Sequence, residues 1–245
     1  VPEKLQHVLI LAHPGHELRI HHWLELNRPR IYLLTDGSGG RNAARTQFSR
    51  EVVDAAGATA GAIFGETPDA AWYKALLSTD TGFFADVLRR IRLDLMDCQD
   101  VQVVSDAVDG YNPIHDLAHV FGNVLNVWLR GARPGRKHLC SAAVPNVPGV
   151  VEVEIQLDAA ARARKIAAVQ AYTPLADEAR QILDRDPQCF DREILIAQNF
   201  DWNTHWTPEW ERIGKERVAR KLYERSITYR ENVQPIAQQL MSEVV

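Results

Sequence analysis

Two histidines three residues apart close the first apolar run of the chain, where Ala12-His13-Pro14-Gly15-His16-Glu17 follows Val8-Leu9-Ile10-Leu11. Pro14 and Gly15 permit a tight bend between them, so the two imidazoles can converge on one ion. A third ligand from another loop would complete an open site and leave one coordination position for water or substrate. His115 and His119 are the candidates, on the segment that begins Asp109-Gly110-Tyr111-Asn112-Pro113-Ile114-His115. Cys98, Cys140 and Cys189 are odd in number, far apart and in no CxxC arrangement, so neither a disulfide framework nor a thiolate zinc site is expected. A metal should therefore rest on His and carboxylates, and three imidazoles suit zinc, or another divalent transition metal, better than magnesium or calcium.

The elements that must position these residues are legible in the hydrophobic pattern. The run at 7–12 is too continuous for a half-exposed strand and fits one buried on both faces, as in a parallel sheet. A helical pattern through Leu18, His22, Leu24 and Leu26 leads to a second such run, Arg30-Ile31-Tyr32-Leu33-Leu34-Thr35, which stops at Asp36-Gly37-Ser38-Gly39-Gly40. Helical spacing recurs at 43–56 and 83–95, with strands expected at 60–64 and 101–104. Asn112 suits an N-cap and Pro113 a first helical position, which predicts a helix over 113–129. Strand-like runs at 139–144 and 149–155 precede a helix over 159–183. This alternation predicts an α/β, Rossmann-like fold: a mostly parallel sheet of about five strands with helices on both faces. Residues 1–245 are read as a single domain, about 175–245 forming a helical C-terminal extension along one edge. The three loops carrying the histidines and Asp36 then fall at the carboxyl ends of the strands, where open α/β sheets gather ligands.

These motifs resemble the LmbE/PIG-L-like family of zinc-dependent N-deacetylases, whose first strand ends in AHPDDE and whose later loop carries HPDH. Here they read Ala12-His13-Pro14-Gly15-His16-Glu17 and Asn112-Pro113-Ile114-His115. The Thr35-Asp36-Gly37 turn, the helix from Arg50 to Gly57 and Lys165 to Tyr172 extend the likeness over about Val8 to Ala171. The resemblance implies zinc ligands at His13, His16 and His115, with His16 in place of an anionic ligand. The general base of the family falls on Gly15, which cannot move a proton, and its transition-state-stabilising His falls on Asn112, which can donate a hydrogen bond but no proton. The implied function is metal-dependent hydrolysis of an N-acyl amide such as an N-acetyl amino sugar or a related small metabolite. Three readings stay open: a substitute base, with Asp109 and Asp116 the candidates; different metal-assisted chemistry on a related substrate; or a metal-binding relic or sensor without turnover.

Other features point elsewhere or nowhere. His115-Asp116-Leu117-Ala118-His119 imitates the HExxH of zinc proteases, but the parallel context and the His13/His16 pair do not belong to that fold, so His119 is expected to pack or support. Glu17 is expected to cap a helix start, and Trp202, Trp206 and Trp210 to pack rather than form a sugar platform. The glycines at 37–40 lack the lysine of a phosphate loop. A net charge of -4 with both signs dispersed offers no stripe for nucleic acid. No apolar window approaches a membrane span, and the N-terminus lacks a signal-peptide core, so a cytoplasmic protein acting on a small-molecule substrate is expected.

Overall fold

The computed structural model describes residues 5–39, 43–129 and 136–243. Gly40, the end of the glycine turn, lies outside them. Parallel strands β1 (Gln6–Leu11), β2 (Arg30–Leu33), β3 (Thr59–Phe64), β4 (Val101–Asp106) and β5 (Leu139–Ser141) form most of one sheet. Its order continues through β7 (Arg192–Ala197) to β6 (Val150–Gln156) as β3-β2-β1-β4-β5-β7-β6. β7 runs antiparallel to both neighbours. The fold is thus α/β with a mostly parallel sheet, as the hydrophobic runs require, but among the described residues it has seven strands rather than about five.

The departures have local causes. The segment after 175 is not wholly helical, because β7 inserts between β5 and β6. Its Glu193 is buried, which disguises the strand, and it is compensated by the buried Lys165 at 2.8 Å and by the backbone N–H groups of His22 and Trp23 at 2.9 and 2.8 Å. The expected helix over 159–183 is two helices, α6 (Ala159–Ala171) and α7 (Ala176–Arg185), since Pro174 disfavours the helical conformation at Thr173. The first helical segment is a 3-10 turn over His16–Ile20 followed by α1 (His21–Asn27).

On the remaining stretches lie α2 (Thr46–Ala55), α3 (Asp69–Ser78), α4 (Thr81–Asp94) and α5 (Pro113–Leu129), the last beginning where Asn112-Pro113 predicts it. Alternation along β1 sends Val8 and Ile10 into a core with α3, α4 and α5, and Leu9 and Leu11 into a core with Trp23, Leu24 and Val53 on the opposite face. The C-terminal helices α8 (Glu209–Ala219) and α9 (Gln234–Ser242) join the first core, where Trp202, Trp210, Tyr229 and Leu240 are buried. Of the two, α9 packs against α4 and α5. No helix among the described residues is long and apolar enough to cross a membrane.

Candidate metal centre

The strand order reverses between β1 and β4, so the segments leaving these neighbours diverge to opposite faces and open a crevice at their carboxyl ends. His13 and His16 leave β1 on one side of it, and His115 enters from the first turn of α5 after β4. Their ring centroids lie 5.5 Å (His13–His16), 5.3 Å (His13–His115) and 4.6 Å (His16–His115) apart, with the rings edge to face. For two imidazoles on one tetrahedral zinc, N–metal bonds of about 2.0–2.1 Å place the centroids about 5.2 Å apart. The ring centroids thus lie within about 0.6 Å of that separation.

Each ring is held from behind by a carboxylate. His13 Nδ1 is 2.8 Å from Thr35 Oγ1 and 3.2 Å from Asp69 Oδ1. His16 Nδ1 is 2.9 Å from Asp106 Oδ2, and His115 Nδ1 is 2.8 Å from Asp109 Oδ2. A carboxylate at Nδ1 fixes the proton there and leaves Nε2 as the lone-pair nitrogen on every ring, the arrangement typical of metal-bound histidine. His13 Nε2 is buried and has no hydrogen-bond partner. Burial lowers the pKa of His13 and pushes that of His16 well down, so both rings are neutral near pH 7 and able to ligate.

The supporting carboxylates are themselves anchored. Asp106 ends β4, fully buried; its Oδ2 also accepts the backbone N–H of Ala12 at 2.7 Å, and its Oδ1 pairs with Arg19. Burial would raise its pKa, but His16 and Arg19 outweigh it and hold the group well below the usual carboxylate range. Asp69, at the start of α3, is desolvated too, yet the His13 contact brings its pKa down to about 2, and its Oδ2 accepts from Gly39 N at 2.6 Å.

The residues expected to do proton transfer sit elsewhere in this network. Both oxygens of Asp109 are engaged, Oδ2 by His115 and Oδ1 by the N–H of Tyr111 at 2.8 Å. Asp116 Oδ1 accepts the N–H groups of Asp109 and Gly110 at 3.0 and 3.1 Å, and its Oδ2 accepts from Trp210 Nε1 at 2.7 Å, so it ties the loop before α5 to α8. Burial and the nearby Asp109 raise its pKa to about 7. Asn112 caps α5 through Oδ1, which accepts from Ile114 N at 2.8 Å, while its Nδ2 donates to Tyr73 Oη at 3.1 Å. Glu17 accepts the Gly15 N–H at 2.8 Å and pairs with Ser49 Oγ at 2.5 Å, a helix-start role. His119 does not join the three rings; one turn further along α5, it faces His138.

A side chain at Gly15 would strain the backbone and have to displace the Leu175 methyl. Gly15 has φ 103°, and a Cβ there would stand 2.4 Å from Leu175 Cδ1. Sequence reasoning missed Asp69, Asp106, Thr35 and Arg19. The one available signal was an aspartate ending the strand-like run Val101-Gln102-Val103-Val104-Ser105-Asp106, since an acid at a buried strand end needs a partner.

No protein-family model and no curated protein matches the chain. Among solved structures it is similar to a deacetylase triple mutant involved in the teicoplanin biosynthetic pathway, at 11% identity and TM-score 0.48, over 80% of this chain and 100% of that one. It is likewise similar to the zinc-inhibited form of teicoplanin deacetylase, at 11% identity and TM-score 0.46 with the same coverage.

Proposed function

We propose that this protein is a metal-dependent hydrolase of N-acyl amides, in keeping with its resemblance to the LmbE/PIG-L-like deacetylases, and that zinc or another divalent transition metal is held by His13, His16 and His115. The observation that carries this reading is the set of three histidines whose Nδ1 atoms each meet an aspartate, leaving three Nε2 lone pairs. When bound, the metal would supply Lewis-acid polarisation of a carbonyl and a lowered pKa for water.

The protein's own groups would do the positioning. Asp69 with Thr35 fixes the His13 ring, Asp106 the His16 ring and Asp109 the His115 ring. This assigns Asp109 to orientation rather than to the proton transfer expected of it, and Asp116 to holding the loop on which Asp109 lies. Asn112 stands three residues before His115; one N–H of its amide goes to Tyr73 Oη, and the second is left to donate to a substrate oxygen. The substrate class is a small N-acylated metabolite, an N-acetyl amino sugar being the model compound.

A specific observation favours a second reading, metal binding without hydrolysis. A side chain at 15 would need a strained backbone and a displaced Leu175 methyl, and the three aspartates nearest the rings all face their Nδ1 sides. Acetate release from a panel of N-acetylated amino sugars, measured on tag-free metal-loaded protein, separates the two. His13→Ala and His115→Ala should each lose one equivalent of metal together with any turnover. Retention of wild-type metal content by both folded variants would overturn the ligand set, and no release by metal-loaded wild type across the panel would establish the second reading.

A further inference from the structure

We propose a second metal site, distinct from the three-histidine centre, in which His119, His138 and Cys140 bind a thiophilic divalent ion of the zinc class. Their ligand atoms lie within 4.8 Å of one another and all three residues are buried. The two ring centroids are 5.0 Å apart, close to the roughly 5.2 Å expected of imidazoles sharing a tetrahedral zinc. Two imidazoles and a thiolate form a donor set that zinc takes readily, with a fourth position left for another ligand.

The hydrogen-bonding pattern leaves these ligand atoms in need of a partner. His138 Nδ1 meets Asn123 Oδ1 at 2.7 Å, which places its proton there and its lone pair on Nε2. That Nε2 lies 2.8 Å from Ser105 Oγ and 3.9 Å from Cys140 Sγ. The one hydroxyl proton of Ser105 is also claimed by the carbonyl of Asp106, at 2.7 Å, so it cannot serve both acceptors. His119 Nε2 is fully buried with no hydrogen-bond partner. In binding a metal, His119 takes the Nδ1–H tautomer and gives up its long 3.3 Å contact with Asn123 Nδ2. The thiol of Cys140 releases its proton to solvent as the sulfur–metal bond forms.

The backbone makes room for this arrangement. Gly122 lies inside α5, where glycine is destabilising, and a Cβ there would stand 2.1 Å from His138 Nε2. The cluster borders a cavity of about 590 Å³, which His138 and Asn123 line with Lys137, Glu152, Gln198 and Phe200. The two centres share their scaffold. α5 carries His115 for one and, a turn later, His119 for the other, while β4 supplies Asp106 to the first and Ser105 to the second.

Sulfur distinguishes the sites, because the three-histidine centre has none. The full chain, tag-free and stripped of metal, is titrated with cobalt(II) and followed by absorption. The expected result is a thiolate-to-cobalt charge-transfer band that saturates by two equivalents in wild type and by one in His13→Ala, and is absent from Cys140→Ser. Zinc-loaded His13→Ala should show a sulfur neighbour at about 2.3 Å by X-ray absorption, and Gly122→Ala should lose it. No charge-transfer band in wild type, or an unchanged band in Cys140→Ser, would overturn the second site. Loss of metal only at the sulfur-free centre in His13→Ala leaves this inference standing whatever becomes of the hydrolase reading.

Discussion

Restoring an aspartate at position 15 would return the acid-base group of the AHPDDE pattern, and here it should damage the protein instead. Gly15 has φ 103°, a region in which a residue with a side chain is strained by about 1–3 kcal/mol. Its Cβ would overlap Leu175 Cδ1 at 2.4 Å, and forced overpacking of this kind costs about 1–3 kcal/mol more. Gly15→Asp should therefore lose about 2–6 kcal/mol, or roughly 4–24 °C in Tm for a chain of this size. Gly15→Ala isolates the backbone and Cβ part. Leu175→Ala in the Gly15→Asp background should recover the overpacking part alone, since the backbone strain remains. The assay is urea unfolding of each variant, metal-loaded and metal-free. A Gly15→Asp protein within about 0.5 kcal/mol of wild type, or one that gains acetate release without Leu175→Ala, would refute the reasoning.

Two further outcomes follow from the carboxylates and the buried rings. Asp106→Asn keeps the shape but not the charge behind His16, so metal affinity at the three-histidine centre should fall about 10–100-fold, measured by competition with a chelating dye; unchanged affinity would mean that Asp106 does not orient a ligand. In metal-free protein, stability should fall as pH drops below about 6.5, because unfolded histidines take up protons there while burial holds the pKa values of His13, His16, His119 and His138 down in the folded state. His119, lowered to about 4, would by itself remove roughly 3 kcal/mol between pH 6.5 and 4. Urea midpoints at pH 5 and 7 should differ less in His119→Gln than in wild type, and an equal difference would sink this assignment.

The meeting of His13, His16 and His115 was legible because it depends on strand ends, and buried strands announce themselves as unbroken apolar runs. The helix of His115 was legible for an equally local reason, the Asn112-Pro113 start. What supports the rings was not legible. Asp106 reaches His16 across 90 positions and Asp69 reaches His13 across 56, and neither spacing belongs to a repeating element. Asp109 shows the limit of sequence proximity: six residues from His115, it was a natural choice for a base, yet the turn brings it to the Nδ1 side of the ring, away from the lone pair. Similarly, β7 was hidden by an inward-facing glutamate whose compensating lysine lies on α6.

The misread helix and the missing base have one physical origin. A continuous helix over 159–183 would carry Leu175 onward along its own axis. Instead Pro174 ends the run, and the N–H of Leu175 bonds back to the Tyr172 carbonyl at 3.0 Å, turning the chain across the His13-Pro14-Gly15 bend. Tyr172 Oη then lies 3.0 Å from Ser49 Oγ, which also holds Glu17 and the Gly15 N–H, so the turn is fastened to the same bend it covers. Glycine at 15 and leucine at 175 are therefore one packing solution: without a side chain at 15 the α6–α7 turn can close over the β1 loop, and with that turn closed a carboxylate at 15 must displace the Leu175 methyl and hold a strained backbone.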